Sequence, residues 1–453
     1  MPNNPSVPLL ACALMCSGLT TQADPPAPRS STARAREFVV RFTGGTHAEN
    51  VSGMTAEMQA AAGPGPSEQL RSALLAQYGA VREVGEAWLE DRMQGLERFR
   101  VPVQFEGQSI DFRVVLDGSG LVAGFFLVAH VERPEESAAP PFRQIDVGVG
   151  EDETALPGTL TLPEGPGPFP AAVLVHGSGP NDRDETIGPN RPFRELAWEL
   201  AERGVATLRY DKRSYARPAD LAAAGDALTV RQEVIDDARL ALQALRGRKE
   251  IDAARLFVVG HSLGGTLLPR IAEAEPRPAG LIALAGATLP LPEKILSQTR
   301  YIVALDGTVT PEEQGHLDRI ATEVHTLRAA MNDTAAAPPG PILGLPLGYY
   351  RDLEAHDPPA DAARLGLPIL VLQGKRDYQV TIEDFERWKL ALAGKGFACL
   401  VAYDDLDHLF RSGSGPSGPS DYERGAPVDP RPIDDIAGWI KARRCPNAPA
   451  ARP

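Results

Sequence analysis

A chain of 453 residues has room for two or three domains at roughly 150 residues each. Its 43% hydrophobic and 23% charged residues are ordinary for a soluble globular protein, which excludes a disordered or fibrous chain. The formal net charge of −14 argues against nucleic acid or an anionic membrane as partner and leaves a small neutral molecule open.

Residues 7–19 are a short apolar stretch, and Thr21-Gln22-Ala23 offers a small-residue cleavage site before Asp24. Residues 1–23 therefore read as a secretory signal, although no Lys or Arg precedes Arg29 to give the usual positive start. Export to the periplasm or medium is the expectation, with a cytoplasmic location as the alternative. The run is shorter than the about 20 apolar residues that a spanning helix needs, and no other segment qualifies. Residues 24–35, rich in Pro, Ala, Ser, Thr and Arg, read as a flexible linker. Cys12 and Cys16 fall in the signal; Cys399 and Cys445 are far apart and form no recognisable framework. A buried free thiol is expected at Cys399, and a Cys399–Cys445 bond has no spacing rule behind it.

Residues 36–131 form a first unit. Helical spacing at 36–42, 54–58 and 68–78 gives way after Gly79 to alternating strands at 99–105, 110–116 and 121–130. Helices followed by antiparallel strands indicate a small α+β domain. In pattern, without signature residues, it resembles the cone-shaped nuclear-transport-factor-like domains that precede some bacterial hydrolases.

A Pro- and Glu-rich linker at 132–141 leads to a second unit, 142–453. Strands at 143–147 and 158–162 suit an antiparallel hairpin. Ala171-Ala172-Val173-Leu174-Val175 is a continuous apolar run of the kind a buried parallel strand requires. Helix 193–203, strand 205–210, helix 228–245 and strands 256–259 and 281–284 continue a β–α alternation, which predicts a doubly wound, mostly parallel sheet. The rhythm breaks at 288–366, where one helix (311–331, capped by Thr310) is followed by a Pro-rich stretch. This reads as a helical lid, against the plainer reading of an insertion at the sheet's far edge. Strand 368–372, helix 381–392, strand 399–403 and helix 433–443 complete the unit.

The chemistry centres on Val259-Gly260-His261-Ser262-Leu263-Gly264-Gly265, a strand followed by Gly-x-Ser-x-Gly and an apolar helix. This is the nucleophile-elbow order. A serine hydroxyl needs a base in reach, and the base needs an orienting acid. Downstream, Asp377 follows the strand ending at Leu372-Gln373-Gly374, and His408 follows the next strand. Both positions are strand tips, where open α/β sheets gather functional groups. Asp404, Asp405 and Asp407 are rival acids, but they sit on the same loop as His408. His316, His325 and His356 lie in the insertion, and His261 stands too close to Ser262 on a tight turn to serve it. The intermediate's oxyanion needs two donors. The backbone N–H of Leu263 is one. His176-Gly177-Ser178-Gly179-Pro180, a small-residue loop after an earlier strand, supplies the other through Ser178 or, alternatively, Gly179.

These motifs, with Asp182-Arg183-Asp184-Glu185-Thr186 and Gln373-Gly374-x-x-Asp377, resemble bacterial α/β-hydrolase-fold esterases. The branch is the serine-aminopeptidase-like or dienelactone-hydrolase-like one, and the resemblance covers about residues 142–443. It implies an α/β-hydrolase fold and carboxylic ester hydrolysis through an acyl-serine, and is not specific for substrate. The lid and the uncharged surroundings of the elbow point to small or medium acyl esters, and with no His-Glu-x-x-His, clustered Cys or dinucleotide fingerprint no metal or cofactor is expected. Within that branch Leu208-Arg209-Tyr210-Asp211-Lys212-Arg213 usually precedes a Gly-rich turn; here Ser214-Tyr215-Ala216 follows, and a salt-bridge cluster without catalytic role is expected. The charge run at 182–185 reads as a solvated or self-paired loop, and Tyr349 and Tyr350 as pocket lining or lid packing. A peptidase on the same triad would need an acid to hold an amine, for which Glu312, Glu313 and Glu323 are candidates. A binding protein on a hydrolase fold is the remaining alternative.

Overall fold

The structure is a computed structural model that describes residues 31–45, 47–61, 64–93, 96–131, 141–332 and 341–446. The expected signal, most of both linkers and part of the Pro-rich stretch lie outside the described residues. The chain divides into two compact units, Met1–Ala138 and Ala139–Pro453.

In the first unit, α1 (Ser31–Gly44) buries Ala35, Phe38, Val39 and Phe42 on one face. The helix begins at Ser31, so the last residues of the expected linker are helical. Helices α2 (Ala56–Ala61) and α3 (Pro64–Tyr78) follow. Five antiparallel strands come next: β1 (Val81–Val84), β2 (Trp88–Met93), β3 (Leu96–Phe105), β4 (Ser109–Leu116) and β5 (Val122–Ala129). The sheet order is β1-β3-β4-β5, with β2 also paired to β3. Phe38 and Phe42 of α1 meet Phe125 at centroid distances of 5.1 and 4.9 Å, so helix and sheet share an aromatic core.

The second unit is built on an eight-stranded sheet. Its strands are β6 (Phe142–Val149), β7 (Leu156–Pro163), β8 (Phe169–Val175), β9 (Ala206–Tyr210), β10 (Ile251–His261), β11 (Gly280–Leu284), β12 (Ile369–Gly374) and β13 (Ala398–Tyr403). The order is β13-β12-β11-β10-β8-β9-β7-β6. Strands β8 to β13 are parallel, and the β6–β7 hairpin joins antiparallel through β7 to β9. Along β8, Ala171, Val173 and Val175 enter one core cluster while Ala172 and Leu174 enter the other. Burial on both faces is the reason this strand reads as an unbroken apolar run. Helices α4 (Pro192–Glu202) and, at the chain's end, α14 (Pro430–Ala442) cover one face.

Between β9 and β10 run two short helices, α5 (Arg213–Ala216) and α6 (Pro218–Ala224), and then α7 (Asp236–Arg246). A single π-turn, Arg231–Ile235, precedes α7, so the expected helix at 228–245 is irregular at its start. Helix α8 (Leu263–Ile271) follows β10. Between β11 and β12 lie α9 (Leu291–Val303), α10 (Pro311–Asn332), α11 (Leu347–Glu354) and α12 (Pro358–Leu365). Thr310 caps α10: its hydroxyl accepts from Glu313 N–H at 3.3 Å, and Glu313 accepts from Thr310 N–H at 2.8 Å. Helix α12 packs on α8 and on α13 (Ile382–Ala391), with Ala362 in the main core. Helix α12 thus joins the end of the expected 288–366 insertion to the layer that covers the sheet. Helix α9 escaped the sequence reading because its apolar positions mix with Lys294, Gln298 and Arg300.

Cys399 in the edge strand β13 is bonded to Cys445, with their Cα atoms 5.4 Å apart. The free buried thiol expected at Cys399 is thus corrected: folding brings two cysteines 46 residues apart to one sheet edge. The bond closes a long loop, and Cys445→Ser is expected to lower unfolding free energy by about 2–4 kcal/mol. Urea unfolding checks this, because wild type in reductant should then match the variant in its absence.

Candidate active site

Strand β10 ends at His261, and Ser262 stands between it and α8 with φ 52° and ψ −116°. A non-glycine residue with positive φ is strained, and this one is held by its surroundings. Its N–H donates to Leu284 O at 2.8 Å, and its carbonyl accepts from Thr266 N–H at 3.0 Å. The flanking glycines have a steric reason. A Cβ on Gly260 would lie 2.3 Å from Gly264 O, and one on Gly264 would lie 2.2 Å from Val175 O. Any side chain at either position would push helix α8 off the sheet.

Asp377 follows β12 and His408 follows β13, on neighbouring strand tips. His408 Nδ1 donates to Asp377 Oδ2 at 2.6 Å, and Gln373 Nε2 donates to the same oxygen at 3.2 Å. Asp377 Oδ1 accepts from Gln379 and Val380 N–H at 2.8 and 2.9 Å. Four donors thus fix a carboxylate that is 4% exposed. With Nδ1 committed, Nε2 is the ring nitrogen of His408 left to exchange a proton. The rival acids are occupied elsewhere. Asp405 pairs with Arg431, and Asp404 with Lys375. Asp407 accepts from Leu409 and Arg411 N–H and binds the Arg411 guanidinium. His316 contacts Arg319 on α10, and His356 contacts Asp361.

The loop at 176–180 lies against the elbow: a Cβ on Gly177 would come within 3.2 Å of Ser262 Cβ. Gly177 N–H donates to Glu185 at 2.7 Å, so that amide is used. The carbonyls of Gly177 and Gly179 both accept from Lys212 Nζ, at 2.9 and 3.0 Å. Ser178 O accepts from Asn181 Nδ2 at 3.1 Å. In a trans peptide the C=O and N–H point opposite ways. Pinning Gly177 O on Lys212 therefore turns Ser178 N–H to the other side, and pinning Ser178 O does the same for Gly179 N–H. Ser178 and Gly179 line the same cavity as Ser262, Leu263 and His408. Beneath the loop His176 is fully buried, and burial pushes its pKa down to about 4, leaving it neutral.

His261 belongs to a second layer. Its Nε2 donates to the carbonyl of His408 at 3.0 Å, and its Nδ1 lies 3.0 Å from Glu185 Oε2, off the best hydrogen-bond axis. Burial alone would lower the His261 pKa, but the Glu185 carboxylate outweighs it and raises it; burial likewise opposes, and His261 overcomes, a lowering at Glu185. Of the two readings of the charge run, solvated or self-paired, Asp182 fits the second, accepting from Asp184 and Thr186 N–H at 3.2 and 2.9 Å, and Glu185 fits neither. Glu185 is 2% exposed and ties the 176–180 loop to the elbow, while Asp184 pairs with Arg209 and Arg183 with Asp211. Glu185→Gln is expected to cost about 1–3 kcal/mol near pH 6, because a buried pair loses its charge. A raised histidine stabilises below its ordinary value and loses that contribution as pH rises through its folded value. A lowered glutamate stabilises above its ordinary value and loses that as pH falls. The gap between wild type and variant should thus be widest between the ordinary Glu and His ranges and narrow as pH rises through the raised His261 value, as urea titrations from pH 6 upward would read.

The cavity has a volume of about 920 Å³, and Leu289, Leu291, Ile295, Leu345 and Leu353 give it apolar walls, several from the insertion. Tyr349 lines it, is 2% exposed and donates to Glu233 at 2.6 Å. Tyr350 instead packs with Leu327, Ile342 and Leu347 inside the insertion. Glu312, Glu313 and Glu323 are not among the described lining residues. Sequence reasoning missed Lys212 and Glu233, which pair at 3.0 Å below the loop. A lysine inside an Arg- and Asp-rich string carries no sign of burial.

The family model described as serine aminopeptidase, S33, matches residues 189–409, a span that holds Ser262, Asp377 and His408. Esterase EstD of Thermotoga maritima is 38% identical over 374 residues, covering 82% of this chain and 85% of that protein. Among solved structures, Est1E from Butyrivibrio proteoclasticus matches 65% of this chain and 96% of its own at 17% identity and a TM-score of 0.41. A Pyrococcus furiosus esterase matches 61% and 88% at 16% identity and a TM-score of 0.39. With an elbow, a doubly wound sheet and a relative of this identity spanning both units, the chain belongs to the serine aminopeptidase S33 family of α/β-hydrolases.

Proposed function

We propose that the protein is a serine esterase that cleaves small or medium acyl esters through an acyl-enzyme at Ser262. The observation that carries this reading is the His408–Asp377 hydrogen bond of 2.6 Å in a cavity that Ser262 also lines. The 38% relationship to an esterase supports the choice of ester as substrate. His408 Nε2 takes the Ser262 proton as Oγ attacks the ester carbonyl, and Asp377 holds the imidazolium that forms. Leu263 and Ser178 N–H groups receive the oxyanion. The intermediate collapses as His408 returns the proton to the leaving alcohol. Water, activated by the same histidine, then releases the acid and frees Ser262.

Amine recognition has less to support it. Of the lining acids, Glu185, Glu233 and Glu354 pair with His261, Lys212 and Arg328, and Asp357 accepts from Ala360 N–H and lies 3.8 Å from Arg387. Insertion helices α9 and α11 act as the cover that sets acyl size. Export also fits, since disulfides persist in oxidising compartments and Cys399 is bonded to Cys445. Turnover of p-nitrophenyl esters of increasing acyl length, run beside amino-acid anilides, tests the substrate class. Faster anilide cleavage would sink the esterase reading. Fractionation of the producing cells without reductant tests export, which fails if the protein stays in the cytoplasmic fraction.

A further inference from the structure

We propose that Lys212 is a positioning residue that sets the oxyanion loop, and that Glu233 and Tyr349 make its grip depend on the docked insertion. The proposal rests on the Ser262 nucleophile reading and extends it. Lys212 is 2% exposed, and its ammonium has three donors for three acceptors: Gly177 O at 2.9 Å, Gly179 O at 3.0 Å and Glu233 Oε1 at 3.0 Å. Two carbonyls converging on one point repel each other unless a cation stands there. Within the loop the neutral Asn181 amide also reaches Gly177 O, Ser178 O and Gly179 O, at 3.2, 3.1 and 3.3 Å, longer contacts than those of the ammonium, and Gly179 stands at φ +91°. Gly177 is held on both sides, its N–H by Glu185 and its C=O by Lys212. The Ser178 N–H therefore points away from Lys212, and the ammonium, at 2.9 Å from Gly177 O, is the shorter and charged of the two contacts that fix it, Asn181 being the other.

Glu233 stands in the π-turn Arg231–Ile235, a local irregularity of the kind found at functional positions. Its second oxygen accepts from the Tyr349 hydroxyl on α11, within the insertion. The path from insertion to loop is thus Tyr349, Glu233, Lys212, Gly177. A helix that covers the cavity also tightens the cation that aims the oxyanion donor.

The test uses p-nitrophenyl acetate as substrate and phenylboronic acid, which forms a tetrahedral adduct on serine, as the probe of the hole. Lys212→Met should lower kcat by about 10–100-fold with KM within about threefold, and boronate affinity should fall in proportion to kcat. A generally loosened fold would not keep that proportion. Lys212→Met/Glu233→Gln removes the unpaired buried charge and keeps the site neutral; it should show the same loss. Tyr349→Phe, which deletes one hydroxyl, should lower kcat and boronate affinity together by about 3–10-fold. Wild-type boronate affinity in the double variant, or a Tyr349→Phe that leaves both quantities unchanged, overturns the proposal. Full activity of Ser262→Ala would overturn the nucleophile reading and Lys212 with it, whereas an inactive Ser262→Ala beside an unaffected Lys212 double variant removes Lys212 alone.

Discussion

Replacing Ser262 by alanine is expected to lower kcat/KM for p-nitrophenyl acetate by about 10⁵–10⁶-fold, because the proposed mechanism carries the acyl group on its Oγ. KM aside, the fold should be untouched, since alanine keeps the Cβ and the backbone strain. Glycine at the same position gives a second readout. Ser262 sits at φ 52°, a region that glycine occupies without steric cost. Ser262→Gly should be as inactive as the alanine variant yet more stable than it by about 1–2 kcal/mol. A melting curve and a rate assay on the pair check both statements. Residual activity near wild type in either variant would remove Ser262 from the mechanism.

Asp377→Asn is expected to cost about 10⁴-fold in kcat while the site keeps its shape. The reason lies in four donors. Gln379 and Val380 N–H groups at 2.8 and 2.9 Å require an oxygen at the Oδ1 position. The asparagine oxygen must go there, so its NH2 faces His408 Nδ1 and Gln373 Nε2, which now hold 2.6 and 3.2 Å contacts as donors. Histidine escapes the donor–donor clash by moving its proton to Nε2, where it can no longer accept from serine. The expected signature is a large kcat loss with KM little changed and a stability loss of about 1–2 kcal/mol. A variant within tenfold of wild type would show that His408 takes its orientation from elsewhere.

Some of this was readable in the chain itself. Glycine at 260 and 264 marks a close backbone approach, and the apolar strand before Ser262 and helix after it mark the turn between them. Asp377 and His408 could be placed because each follows a buried strand, and parallel sheets put all such tips at one edge. The family resemblance then narrowed the chemistry to acyl transfer. The burial of Glu185 and Lys212 was not legible for one reason: charged residues in short polar strings carry no mark of burial, which depends on partners far away in sequence. Glu185 meets His261, and Lys212 meets Gly177 and Glu233. The same holds for Cys399 and Cys445, which share a sheet edge only once β13 and the C-terminal segment are in place.

The sequence by itself determined the elbow, the order in which Ser262, Asp377 and His408 follow their strands, and the alternation that makes a parallel sheet. These are local or periodic properties, written in residues that are near neighbours or recur at fixed spacing. Tertiary structure alone decided which carboxylate meets His408, which lysine is buried, where the insertion meets the cavity and which cysteines pair. Each of those depends on long-range contact, and burial converts an ordinary surface charge into one that must find a partner.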